Sequence, residues 1–304
     1  MDFRFTQDQQ DFIDAAKAFF DGENTVERMR NLVAGEEVAN LWPQFAQLGL
    51  LGILVPESAG GMQQPLVVMA GIAEVAGYAG LPEPYIEIAG ITVPHATEEE
   101  LKGQIRRAAR SKLRPYIDLS LTETGEAVSS IDPLRNLVKA GGDADENVES
   151  VNFHGAVLTA AQLIGLSKRM LDMSVDYAKD RHQFGKPIGS FQAVKHQLAN
   201  VHTQIEFTRP IIHLAAIKGG AAVHNAKVAA NDTAMLAAET AIQVHGGMGY
   251  TYEVDLHLFM KRAWALCGEW GDRSYHMKKL EDYILEGDAE LGPGQTFKEE
   301  NHYG

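Results

Sequence analysis

The stretch Arg181-His-Gln-Phe-Gly-Lys-Pro-Ile-Gly-Ser-Phe-Gln-Ala-Val-Lys-His196 decides the fold, because it separates two long segments with helical periodicity. An arginine ends the first segment, and Gly185 and Pro187 then break the chain. The Ser190 hydroxyl is placed to cap the helix that follows. The pattern predicts a tight loop between two helices.

The loop also carries a set of groups that suits a nucleotide ligand. It combines the guanidinium of Arg181, the carboxamide of Gln183 and the aromatic ring of Phe184. A guanidinium can bind a pyrophosphate with two parallel hydrogen bonds, and an aromatic ring can stack on a flat heterocycle. Considered alone, the loop is equally well a plain corner between helices.

A second stretch, Gln243-Val-His-Gly-Gly-Met-Gly-Tyr250, ends a later helical segment in glycines. Glycines at such a position let the backbone approach a ligand closely, or they simply terminate the helix. The order and spacing of the two stretches along the chain are more informative than either stretch alone.

Together the two stretches resemble the signatures of the acyl-CoA dehydrogenases. The first is similar to that family's Arg-x-x-Phe-Gly-x-Pro-Ile, Phe-Gln and His pattern, and the second to its Gln-x-x-Gly-Gly-x-Gly-Tyr pattern. Segments Phe5–Phe12 and Leu48–Gly61 resemble the family's N-terminal helix and helix-to-turn segment. The resemblance covers residues 1–125 and 151–290.

The resemblance implies a mostly α fold with two helical domains and a reduced middle. We expect an N-terminal helical domain at 1–115, a remnant of the family's middle β-domain at 116–150, a C-terminal four-helix bundle at 151–290 and a tail at 291–304. Apolar periodicity, caps and breakers predict the helices. They are expected at 6–21, 24–34, 38–50, 65–79, 86–95, 97–113, 151–182, 190–217, 221–244, 254–266 and 272–286.

The middle of the chain is too short for a complete β-domain. Residues 116–125 alternate apolar and polar side chains and predict one strand. Only residues 126–150 then separate this strand from the long helix, which leaves room for two or three strands of roughly 5–6 residues. Because Asp132–Leu137 resembles the family's exit from the β-domain, we interpret the interval as an internal deletion that joins the first strand to the last.

Composition limits the class of protein. The chain has 304 residues, of which 45% are hydrophobic and 22% charged, as is typical of a globular protein. Its net charge of −14 argues against nucleic-acid binding. The single cysteine, Cys267, excludes an internal disulfide framework. With neither a signal-peptide pattern nor an apolar run of ~18 residues, we expect a cytoplasmic location and no membrane association.

The resemblance implies FAD as cofactor and a CoA thioester as substrate, with a glutamate as the base that removes a proton. Counted along the chain, the family's usual base position falls on Trp270, and a second lineage's base position falls on Gly155. Neither residue is a base. Glu269 is one position away and is the only weak candidate, since Asp272 is expected to cap the last helix.

The same resemblance assigns a cofactor-binding role to one set of residues: Arg181, Gln183, Phe184, Gly185, Gln192, His196, Gln243, Gly246, Gly247 and Gly249. For His196 a flavin contact and a plain surface position are equally open. His182 is expected in an exposed loop, and His245 is interpreted as a cation that favours the dipole of its helix end. The remaining histidines have no metal-ligand spacing, so no metal site is expected.

In this family one subunit's β-domain holds the flavin ring, and its neighbour's loop and glycines hold the pyrophosphate and adenosine. This chain keeps only the second half, so the resemblance implies a partner that keeps the sheet and the base. Such an arrangement resembles the α2β2 acyl-CoA dehydrogenases of bacterial steroid degradation. Two alternatives stay open, a self-sufficient enzyme that uses Glu269 and a flavin-free scaffold on the same fold.

Overall fold

The structure is a computed structural model that describes residues 4–95, 127–135, 137–138 and 149–287. Helices form nearly all of this part. The α-helices are α1 (Gln7–Glu23), α2 (Val26–Val33), α3 (Trp42–Gln47), α4 (Leu66–Ala79), α5 (Glu149–Asp180), α6 (Gln192–Lys218), α7 (Ala221–His245), α8 (Leu256–Cys267) and α9 (Arg273–Leu285). A π-helix spans Ile86–Thr92, and 3-10 turns span Leu50–Gly52, Glu57–Ala59, Val93–His95, Ile188–Ser190 and Gly246–Tyr250.

Local caps explain where several predicted helices begin. The Thr6 hydroxyl accepts from the backbone N–H of Gln9, and the Gln9 side-chain oxygen accepts from the Thr6 N–H, so α1 starts with a capping box. The Asp272 carboxylate caps α9 by accepting from the Tyr275 N–H at 2.8 Å, which confirms that prediction. The prediction that Ser190 caps this helix is wrong, because α6 begins after Phe191 and has no side-chain cap.

The long helix α5 is the centre of the molecule. It packs against α4 on one side and against α6, α7 and α8 on the others. The apolar periodicity of this segment predicts a single apolar face, but the middle of α5 is buried on every side, as Val157, Leu158 and Leu163 demonstrate. The single-face prediction was too narrow because α4, from the N-terminal half, covers the side that a bundle alone would leave in water.

The bundle helices pack closely on a stripe of small residues in α7. The members of this stripe that are fully covered are Ala226, Ala230, Thr233, Ala237 and Ala241, as the sequence predicts. α6 runs as one element through Pro210. A buried hydrogen bond of 2.9 Å between the Thr208 and Thr233 hydroxyls joins α6 to α7.

Sheet is confined to two very short pairs within the described residues. Strands β1 (Ala127–Val128) and β2 (Leu137–Val138) pair antiparallel, and so do β3 (His182–Gln183) and β4 (Lys186–Pro187). The predicted strand at 116–125, the predicted helix at 97–113 and the tail lie outside the described residues. Among the described helices, none is both long and apolar enough to cross a membrane.

Between β1 and β2 the chain is fixed to the bundle by one buried ion pair. The Asp132 carboxylate accepts from the Leu134 N–H at 2.9 Å and from Arg262 Nε at 2.8 Å. Both charged side chains are almost fully covered, and Arg262 also donates to the Leu81 carbonyl. The short middle segment is therefore attached to α8 and to the end of the N-terminal half.

Candidate functional site

Residues 181–188, here called the Arg181 hairpin, project from the end of α5. Phe184 and Gly185 form the two-residue turn between β3 and β4, with φ of 54° and 81°. Two successive positive φ values are typical of the type I′ hairpin turn, which seldom places a phenylalanine there. The Phe184 side chain is 90% exposed, so the turn presents its ring to solvent.

The polar groups of the hairpin are also directed to solvent. Arg181 and Gln183 are both exposed. No described residue forms an ion pair or side-chain hydrogen bond with the Arg181 guanidinium, although its backbone N–H donates to Tyr177 at 2.9 Å. The other cation of the hairpin is engaged, since Lys186 lies over the Phe191 ring at 4.4 Å. Arg181 thus keeps its full set of donors for another molecule.

Residues 246–250, here called the glycine segment, follow α7 at the same end of the bundle. Gly246 terminates α7 with φ 58° and ψ −134°. A side chain added at Gly247 would meet nothing within 4 Å, whereas Gly249 is buried and faces the Ile242 carbonyl. Only the first two glycines therefore offer an open backbone surface to a ligand.

A stacked pair of rings brings the two segments together. His245, the last residue of α7, stacks on Tyr177 in the last turn of α5, with centroids 4.4 Å apart and planes at 27°. Burial lowers the pKa of His245, and its Nδ1–H donates to the Ala241 carbonyl at 2.8 Å. Burial therefore disfavours the cation that we expected at this helix end, and the ring joins two helix ends instead.

The other predicted cofactor residues lie exposed on the neighbouring helices. Gln192 is the first residue of α6, His196 lies one turn later, and Gln243 is in the last turn of α7. His182 is exposed in the hairpin, as expected. Among the described residues, no group of three or more His, Cys, Asp and Glu side chains could hold a metal ion.

Gly155 and Trp270, the two positions that the resemblance assigns to the base, lie in contact with each other. An added Cβ at Gly155 would come within 2.2 Å of Cδ2 of the Trp270 ring. The indole therefore covers the bare backbone of α5 at the place where a side chain is missing. In this chain the space at both base positions is filled by one apolar ring.

Glu269, the weak candidate for a base, is bound by an arginine from the middle segment. The Arg135 guanidinium lies 2.6 Å from the Glu269 carboxylate and 3.1 Å from that of Glu87 in the π-helix. Burial raises the pKa of Glu269 to about 7 despite the positive charge of Arg135. A pKa near 7 suits a general base. The Glu269 carboxylate is, however, already bound to Arg135 of the same chain.

Comparisons with known proteins identify the family. A sequence model of the acyl-CoA dehydrogenase N-terminal domain matches residues 6–93, and one of the C-terminal domain matches residues 150–271. Together they cover more than two thirds of the chain. The protein belongs to the acyl-CoA dehydrogenase family, in a mostly helical, shortened form.

Curated relatives include chains of similar extent. Acyl-CoA dehydrogenase IpdE2 of Mycolicibacterium smegmatis is 29% identical over 274 residues, which are 81% of this chain and 88% of that protein. An acyl-CoA dehydrogenase of Bacillus subtilis is 33% identical, but its match covers 43% of this chain and 36% of that protein. The match to IpdE2 therefore extends over most of both chains, whereas the match to the Bacillus subtilis protein covers less than half of each.

Solved structures share the fold at low sequence identity. The ChsE4-ChsE5 complex of Mycobacterium tuberculosis has a TM-score of 0.80 at 19% identity, over 95% of this chain and 100% of that one. A variant of the Tcur3481-Tcur3483 steroid ACAD has a TM-score of 0.79 at 21% identity, over 92% of this chain and 98% of that one. These likenesses establish the fold.

The sequence did not reveal three charged residues whose buried or half-buried contacts hold the segments around Glu269 and Trp270. These residues are Lys227, Asp132 and Arg135. Lys227 was overlooked because it lies in an alanine-rich helix, where a lone lysine is normally solvated. Asp132 and Arg135 lie three positions apart in the segment that we interpreted as the exit from the β-domain. The one available signal was the high density of charge and proline in Asp132–Arg135 within a shortened segment.

Proposed function

We propose that the protein is a subunit of a heteromeric FAD-dependent acyl-CoA dehydrogenase and supplies half of the FAD site to a different subunit. The observation that carries the proposal is the free Arg181 guanidinium on an exposed hairpin, beside the open backbone of the glycine segment. A homo-oligomer of this chain has little use for this half-site, because residues 126–150 are too few to form the sheet that holds a flavin ring.

The groups at this end of the bundle fit the pyrophosphate and adenosine of FAD. Arg181 offers a forked cation for a diphosphate, and Gln183 and Gln192 offer amide groups that both donate and accept. Gly246 and Gly247 allow close backbone approach, because no atom of the described residues fills the space at Gly247. Phe184 presents an exposed ring that can stack on a flat heterocycle.

When bound, FAD accepts the hydride that leaves the acyl chain of a CoA thioester. In the proposed complex this chain binds and orients the cofactor, while its partner supplies the carboxylate that removes the proton. This division of roles between the subunits follows because neither Trp270 nor Gly155 can accept a proton. The steroid ACAD among the structural relatives supports a bulky, steroid-derived thioester as substrate, and the ChsE4-ChsE5 complex supports a second subunit of the same family.

One alternative, a self-sufficient enzyme, is favoured by the raised pKa of Glu269. In its favour, a carboxylate with a pKa of about 7 would be half ionised at neutral pH. Against it, the same carboxylate is ion-paired to Arg135 at 2.6 Å. A flavin-free scaffold is the third possibility, and it gives the exposed Arg181 no role.

The proposal is tested by co-expressing the chain with the product of the neighbouring open reading frame. Flavin that appears only with the partner supports the proposal. Flavin bound by the chain alone supports the self-sufficient enzyme, and a colourless protein in both preparations supports the scaffold. Absorbance at the flavin bands after size-exclusion chromatography measures this directly.

Arg181→Ala is the sharpest single variant in that complex. Hydrogen bonds to charged groups contribute about 1.5–3 kcal/mol, so the loss of Arg181 should weaken FAD retention roughly 10–100-fold. Lysine should not restore it, since an ammonium is a point charge and not a fork. Lys179→Ala removes an exposed cation bound to Asp176 on the same helix end and should leave FAD bound. Unchanged FAD affinity in Arg181→Ala would overturn the half-site.

A further inference from the structure

The turn between α8 and α9 holds Trp270 in an uncommon conformation. Trp270 has φ of 53°, a left-handed backbone geometry that is costly for a bulky L-residue. Its ring packs onto the hydrophobic core and covers Gly155 in α5. A strained turn that places a large ring on a glycine, where any side chain would clash with that ring, indicates a specific fit between the two residues.

A fully buried lysine anchors this turn. Lys227 of α7 has no solvent-exposed surface and donates to the carbonyls of Leu266 at 3.3 Å, Cys267 at 3.1 Å and Gly271 at 3.2 Å. Lys227 also donates to the Asn231 side-chain oxygen at 3.0 Å, and the Asn231 side-chain nitrogen donates to the Cys267 carbonyl. Lys227 thus satisfies the free carbonyls at the end of α8 and fixes the backbone on both sides of Trp270.

A pair of histidines holds the Trp270 backbone from the other side. His276 Nε2 lies 2.9 Å from the Trp270 carbonyl, and His276 Nδ1 lies 2.8 Å from His224 Nδ1. The carbonyl can only accept, so Nε2 carries the proton of the neutral His276 ring, and His224 donates to the free Nδ1. The turn is therefore fixed by hydrogen bonds from α7 and α9 together.

We propose that Trp270 is an internal plug, which fills in this chain the space that an acyl group would need, and that Lys227 is the positioning residue that holds it there. The inference rests on the proposed function, which assigns Trp270 and Gly155 to the two base positions. It adds a steric reason, beside the missing base, why this chain does not bind an acyl group itself.

The first test opens the plug. Trp270→Ala should leave an apolar space, and cavities of about 150 Å³ bind small aromatic ligands. The purified chain should bind neither indole nor hexanoyl-CoA, while Trp270→Ala should bind both, with at least a tenfold gain in affinity by calorimetry. Trp264→Ala, a matched tryptophan in α8, should gain nothing for hexanoyl-CoA. Equal binding of hexanoyl-CoA by the parent chain and Trp270→Ala would overturn the plug, and so would a folded Trp270→Ala that binds neither ligand.

The second test does not depend on ligand binding. Gly155→Ala adds a methyl group where the indole lies, so it should lower the Tm of the parent chain. In the Trp270→Ala background the same change should raise the Tm, because alanine is a better helix former than glycine. The same sign in both backgrounds would contradict contact between the two residues as the reason for glycine.

Lys227→Met tests the positioning role. This variant removes the hydrogen bonds that hold the α8–α9 turn but retains the Trp270 ring. It should therefore bind hexanoyl-CoA with lower affinity than Trp270→Ala does. Lys195→Met, on the exposed surface of α6, should not admit it, and parent-like behaviour of Lys227→Met would remove Lys227 from the proposal. None of these variants should alter FAD retention with the partner. Loss of FAD in Arg181→Ala reports on the half-site, so the two proposals can fail separately.

Discussion

At the scale of single residues, Gly247 offers room that the chain itself does not fill. A side chain at this position would touch no atom of the chain within 4 Å. Gly247→Val should therefore leave the Tm of the isolated chain unchanged. In the complex it should weaken FAD retention roughly tenfold, because steric overpacking costs about 1–3 kcal/mol.

Gly22→Val is the matched control for this prediction, since Gly22 is equally open but lies in α1. It should leave FAD retention unchanged. Fluorescence-detected flavin release measures both variants. Normal FAD retention in Gly247→Val would show that the ligand does not approach the glycine segment.

Glu269→Gln separates a structural carboxylate from a catalytic one. If the partner supplies the base, turnover of the complex should stay within a few-fold of the parent, whereas loss of a true general base typically costs about 10²–10⁴-fold. Steady-state kinetics of a complex with flavin still bound decide between the two.

The same variant makes a prediction about pH. Burial raises the folded-state pKa of Glu269 from 4.5 to about 7, so the folded chain binds this proton more tightly than the unfolded chain does. The stability that protonation provides is complete below pH 4.5 and is lost as the pH rises through 7. The Tm of the parent relative to Glu269→Gln should therefore fall between pH 5 and pH 8. A Tm difference between the parent and Glu269→Gln that does not vary with pH would contradict the raised pKa of Glu269.

At the level of single residues, local signals could be predicted from the sequence and distant partners could not. The caps at Thr6 and Asp272 depend on neighbours three positions away, so the sequence predicts them. The positions of Trp270 and Gly155 came from the resemblance, but their mutual contact did not. It depends on the packing of α5 against the α8–α9 turn, which no local pattern encodes.

At the scale of elements, the buried pair Asp132–Arg262 fixes the shortened middle segment to α8. Asp132→Asn keeps the shape of the side chain but leaves Arg262 buried without a counter-charge. Breaking a buried pair in this way typically costs about 3–5 kcal/mol, so the midpoint of urea denaturation should fall markedly.

Asp232→Asn is the control for that variant. Asp232 pairs with Arg273 at 2.7 Å, but both side chains are more than half exposed. Exposed pairs contribute about 0–1 kcal/mol, so this midpoint should hardly move. Equal shifts in the two variants would mean that the middle segment does not depend on Asp132.

The elements themselves were largely predictable. Apolar periodicity and breakers gave the described helices to within a few residues, except that α3 is shorter than 38–50 and residues 86–95 form a π-helix and a 3-10 turn. The burial of α5 on all sides was not predictable from its own sequence, because it depends on α4, which lies some 70 residues earlier. The pairing of Asp132 with Arg262 spans 130 positions and leaves no periodic trace.

At the scale of the whole molecule, the chain is a helical framework that places the Arg181 hairpin and the glycine segment at one end of the bundle, while Trp270 packs on Gly155. The Arg181 hairpin and the glycine segment come together there because α5 and α7 end side by side, joined by Tyr177 and His245. This geometry explains why the two sequence signatures persist in a chain that has lost most of the middle domain. In the function that we propose, these groups bind a ligand that another subunit also holds.

The stoichiometry of FAD tests this account most directly. The chain should be purified alone and with its partner subunit, and bound flavin counted by absorbance against protein concentration. The account predicts no stoichiometric flavin in the chain alone and one FAD per pair of unlike subunits in the complex. One flavin per chain in a preparation that contains no partner would contradict it.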